Sequence, residues 1–129
     1  MIGKLGKKLG FSAREEGPDW EARNRDLVEV IRAGDLPRAL EDGKKMVEYV
    51  DRKFPRDAPE KATTYNNMGM IFLMAKDFEM AGDAFQDALA IRRRLLGERH
   101  KEVALVLLNL MELYRLQAQD ILMETRETV

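Results

Sequence analysis

The chain contains no cysteine and a single histidine, His100. The first absence excludes a disulfide framework, a thiolate metal site and a thiol nucleophile. The second leaves no imidazole set for a metal centre and no Ser-His-Asp relay. No run of about 18 apolar residues is present, so no segment reads as a bilayer-spanning helix. Residues 1–11 lack a continuous apolar stretch and do not read as a secretory signal. The 22 basic and 23 acidic residues leave a formal net charge of −1, too little for bulk charge to recruit nucleic acid. What is present is 129 residues, 45% hydrophobic and 35% charged. That composition supports one domain with one modest core. The expectation is a soluble, all-helical protein of a reducing compartment, the cytoplasm.

Sliding the sequence against itself by 42 residues produces a register. Asp35 meets Asp77, Ala39 meets Ala81, Arg52 meets Arg94 and Asn67 meets Asn109. Met68 meets Leu110, Ile71 meets Leu113 and Phe72 meets Tyr114. A fixed period of this length is the mark of a stacked repeat array. The units run over about 20–61, 62–103 and 104–129, the third incomplete, with 1–19 as a basic N-terminal arm outside them.

Each unit reads as two helices. Tyr65, Met68, Gly69 and Phe72 fall on one helical face, and Phe78, Ala81, Phe85, Ala88 and Leu95 form a second stripe. Ala33-Gly34-Asp35 and Ala75-Lys76-Asp77 break the pattern between them. Pro37 suits the first turn of a helix, and Asp57 with Glu60 has capping-box spacing. The pattern predicts helices over about 20–33, 36–53, 59–75, 78–95 and 101–124.

These residues resemble the tetratricopeptide repeat. The second unit carries Tyr65, Met68-Gly69, Phe72, Ala81, Phe85 and Ala88, nearly the full signature. Its period of 42 and its Tyr65-Asn66-Asn67-Met68 run are similar to the kinesin-light-chain type of repeat. So is the connector from Leu95-Leu96-Gly97 through His100 to Val103-Ala104, with Lys101 where that type has proline. The resemblance covers about residues 20–116. It implies a right-handed helical-hairpin array of about five helices that binds other proteins. It also implies that Gly69 and Ala88 sit where paired helices cross closely, and that Phe72 and Phe85 fill the space between successive pairs. Leu105 and Asn109 stand where chaperone-binding members carry basic groups, so a clamp for a terminal carboxylate is not expected.

No catalytic set, metal site or cofactor site emerges, so an enzyme is not expected. His100 reads as a connector residue capping the last helix. Arg92-Arg93-Arg94 reads as a solvated helix end favoured by the macrodipole. Asparagine is a poor mid-helix residue, so Asn24, Asn66, Asn67 and Asn109 are informative. The resemblance puts Asn67 and Asn109 on the concave groove, holding a peptide backbone; bonding between neighbouring helices is the alternative. Met70, Leu73 and Met74 are expected to line the same groove as adaptable apolar contacts. In the arm, Ile2, Leu5 and Leu9 share a helical face beside Lys4, Lys7 and Lys8, a pattern for membrane-surface or partner contact.

Two functions follow. The first is a non-catalytic interaction module, its concave groove accepting a peptide or helix of another protein. The second is a structural subunit or assembly factor, held in a complex or homo-oligomer through its array ends and its arm.

Overall fold

The computed structural model describes residues 19–127. The basic arm lies outside the described residues, apart from Asp19. Five helices follow in order: α1 (Trp20–Ala33), α2 (Leu36–Lys53), α3 (Pro59–Met74), α4 (Phe78–Leu96) and α5 (Lys101–Glu127). The described residues contain no strand. The protein is an all-α helical-hairpin array, α1 with α2 and α3 with α4, closed by a long single helix.

Local chemistry explains the boundaries. The Asp19, Asp35 and Asp77 carboxylates accept from the backbone N–H groups of Ala22, Arg38 and Met80 at 3.0, 3.3 and 3.1 Å. Each satisfies a donor that the first helical turn leaves open. Gly34 ends α1 in the left-handed region at φ 74°, and Lys76, 42 residues on, adopts φ 59° after α3. The capping box expected at Asp57 does not form. Ala58 caps α3 without a side-chain bond, and Pro59 opens the helix. Its fixed φ suits that place. Asp57 instead accepts from Arg94 Nε at 3.0 Å and Nη2 at 2.7 Å. Both bonds end on Oδ1, and a charge-assisted guanidinium bond is a stronger use of that carboxylate than a neutral cap.

Two core clusters meet at α3. One joins Leu27, Val30, Ala39, Met46, Tyr49, Val50, Met68 and Ile71 from α1, α2 and α3. The other joins Ala81, Phe85, Ala88 and Leu89 of α4 to Val103, Val106, Leu110 and Leu113 of α5. Phe72 packs against both, as expected of a residue between helix pairs. Phe85 belongs to the cluster that joins α4 to α5, and it also packs within its own hairpin. Its ring lies directly on Gly69, inside its own hairpin, where any Cβ would collide with it. Complete burial of that ring contributes about 1.5–3 kcal/mol. Trp20 Nε1 donates to the buried Thr64 Oγ1 at 3.3 Å, tying the start of α1 to α3.

The array is curved. α1 contacts α3, and α3 contacts α5, but no Cα of α2 comes within 8 Å of one in α4. The first helices of the units thus form a tight inner row, and the second helices spread apart on the outside.

Candidate partner-binding surfaces

On the inner row the asparagines pair with one another. Asn67 Nδ2 donates to Asn24 Oδ1 at 2.8 Å, and Asn109 Nδ2 donates to Asn66 Oδ1 at 2.9 Å. The second bond is the first translated by one 42-residue unit. It joins α3 to α5 as the first joins α1 to α3. Half-buried amides therefore offset their low helix propensity with interhelical bonds. The ladder starts and stops within the chain, since Arg25 precedes the donors in register and Leu108 follows the acceptors. Each amide uses one end; the other end has no hydrogen-bond partner among the described residues.

The methionine face is less continuous than expected. Met70 and Leu73 are half-buried against the α4–α5 core. Met74 is exposed at the end of α3. The four asparagines are brought together in two pairs, and the three apolar residues divide between core and surface.

The spread of the outer helices opens a cleft that sequence reasoning missed. It lies between α2 and α4, with α3 as its floor, and has a volume of about 450 Å³. Val47, Met68, Phe72, Met80 and Ala84 supply the apolar lining. Glu48, Asp83 and Asp87 stand on its walls against a single lysine, Lys44. Burial, then the like charge of Asp83, raises the Asp87 carboxyl above its usual range. Tyr65 also lines the cleft and donates its hydroxyl to Asp51 Oδ1 at 2.5 Å. Burial and that bond push its phenol well above the ordinary tyrosine value. One trace was present in the sequence. Asp83 and Asp87 are like charges at i and i+4, which an isolated helix disfavours.

The arginine run is a solvated end only in part: Arg94 is exposed and Arg93 half-buried, but Arg92 is not solvated. Arg92 is 8% exposed and donates Nη1 to the Glu102 carbonyl at 3.0 Å, pinning α4 to the start of α5. Burial lowers its pKa, partly opposed by Glu102. Arg94 reaches back to Asp57, in the loop before α3. Arg93 Nε lies 3.0 Å from Glu98 Oε2, yet its angles do not make a hydrogen bond. A connector crossing two units needs fixed ends, and the guanidinium supplies several donors for that. His100 does cap α5, its Nδ1 accepting from the Glu102 N–H at 3.1 Å.

Among the described residues no group of three His, Asp or Glu side chains could hold a metal ion. Nor is any described helix long and apolar enough to cross a membrane. A curved stack of helical hairpins with open inner and outer surfaces defines the class: an α-helical repeat protein. Residues 60–121 match the tetratricopeptide-repeat family model. A tetratricopeptide-like region is thus present from α3 into α5, and α1–α2 forms a further hairpin ahead of it. A comparison with curated proteins gives no match.

Proposed function

We propose that the chain is a non-catalytic interaction module of the kinesin-light-chain repeat type. Its α2–α4 cleft takes a short amphipathic segment of another protein, one bearing basic residues beside its apolar ones. The carrying observation is the pairing of an apolar floor with three carboxylates on the walls. The floor supplies area, and the carboxylates select charge. The volume lies in the range of formed binding pockets. A peptide-display library tests this directly. Enriched peptides should carry apolar residues at helical spacing with Lys or Arg alongside, and Ala84→Trp, which fills the cleft, should abolish their binding. Enrichment that survives Ala84→Trp would sink the reading.

A second reading rests on the half-used asparagines. Along the inner row, the remaining donors of Asn24 and Asn66 and acceptors of Asn67 and Asn109 could serve an extended peptide backbone, with the exposed Met74 about two turns beyond Asn67 on the same helix. Peptides lost on combining Asn67→Ala with Asn109→Ala, but retained by Ala84→Trp, would favour this face.

A further inference from the structure

α5 has two apolar sides. Val103, Val106, Leu110 and Leu113 are buried against the array, and past Leu113 no described residue of the helix is buried. On the other side Leu107, Met111, Tyr114 and Ile121 remain 44, 60, 56 and 52% exposed. With Ala118 and Thr125 they follow one another at intervals of four, three, four, three and four residues. That is the seam spacing of paired helices. It runs for about 27 Å and contains no charged residue. Glu112 and Arg115, the nearest charges in the middle of the helix, are already paired with each other.

The repeat register shows what such a face normally meets. Met111 and Tyr114 stand 42 residues beyond Gly69 and Phe72. In the second unit α4 folds back over that face of α3 and sets Phe85 on Gly69. The fold-back needs a left-handed residue, supplied by Gly34 and Lys76 in the first two units. Ala118 holds that register position in the third and is helical, between Gln117 and Gln119. The helix therefore runs on, and among the described residues none covers its own face.

We propose that a second copy of this chain covers it, α5 packing antiparallel on α5 about a two-fold axis near Leu116. The seam is self-complementary in that register. Leu107 meets Thr125 of the partner subunit, Met111 meets Ile121 of the partner subunit, and Tyr114 meets Ala118 of the partner subunit. Large residues oppose small ones at two of these three layers, and the layers recur across the axis. Six half-exposed side chains per copy bury about 1,200 Å² in all, the lower end of a stable interface. The two-fold makes the contact isologous and closed. The seam shares no residue with the cleft or the asparagine ladder, so the dimer stands or falls apart from either reading.

The experiment is sedimentation equilibrium of the full chain from about 1 to 100 μM, with Met111→Glu and Leu105→Glu beside it. Both positions are exposed, but Leu105 lies off the seam. The wild type should dimerise. Met111→Glu should weaken the dimer at least tenfold while keeping its helical circular dichroism, and Leu105→Glu should leave it intact. Because the chain has no cysteine, orientation can be read covalently. Chains carrying Tyr114→Cys and Ala118→Cys should cross-link to each other faster than either does to itself. A monomer throughout, a dimer indifferent to Met111→Glu, or preferential self-linkage would overturn the proposal. So would a monomer that dimerises only after residues 1–18 are removed, since the chain's own arm would then be the cover.

Discussion

Asn109 donates an amide hydrogen to Asn66 across the gap between α5 and α3, and Asn67 repeats the act toward Asn24. One residue type at one register position thus links successive units in the same way twice. The bond fixes both spacing and register of the inner row, because an amide has a donor and an acceptor at set places. Apolar contacts alone tolerate small sliding.

The ladder should show energetic coupling. Asn67→Ala loses a half-buried bond worth about 0.5–1.5 kcal/mol, partly offset by the better helix propensity of alanine. A double-mutant cycle with Asn24→Ala in urea should then give a coupling of about 0.5–1 kcal/mol. Simple additivity would mean that the bond contributes nothing in solution.

Gly69→Ala should be far more damaging than its size suggests. The added methyl occupies the place of the Phe85 ring, which is fully buried and cannot swing away. The expected loss is about 1–3 kcal/mol, as for other overpacked cores, read as a lowered thermal midpoint. An unchanged midpoint would show that α4 can lift off α3 at little cost.

Lys76→Gly should stabilise the protein. Lys76 is exposed and holds φ 59°, where a Cβ costs roughly 1–2 kcal/mol. Glycine relieves that strain but adds freedom to the unfolded chain. The net gain should be about 0.5–1 kcal/mol by chemical denaturation. No gain, or a loss, would show that the lysine side chain contributes to the turn.

Acid should act on two carboxylates in opposite senses. The Arg94 hydrogen bond holds Asp57 below its usual value, so its contribution is present above the unfolded pKa, near 4, and is lost as pH falls through the folded one. Asp87 is raised by burial and by Asp83, so it opposes folding at neutral pH and is relieved on protonation. Stability measured from pH 7 to 3 should fall less steeply in Asp57→Asn than in wild type. In Asp87→Asn it should start higher and fall more steeply. Identical profiles for all three would mean that neither shift exists.

Much of the fold was legible because it rests on local chemistry. The 42-residue register, the aspartate caps and the turns at Gly34 and Lys76 placed the helices to within a few residues of their observed ends. The asparagine positions were legible as unusual, though the choice between partner and neighbouring helix was not. Met70 and Leu73 show why. α3 contacts α1, α2, α4 and α5 and carries apolar residues at most of its angles. Its pattern could not tell a groove from a core. Arg92 was misread for a related reason: its hydrogen bond goes to Glu102, a residue of the next helix.

By itself the sequence determined the helices, their pairing and the repeat, because capping, turn conformation and apolar spacing act over a few residues. The tertiary structure alone decided which faces stayed open. It spread α2 from α4 to leave an acidic-walled cleft, drew the asparagines into pairs, and left the Leu107–Thr125 seam uncovered by the other described helices. Each of these depends on side chains from helices distant in sequence, and their contacts are set by the curvature of the packed array rather than by any local pattern.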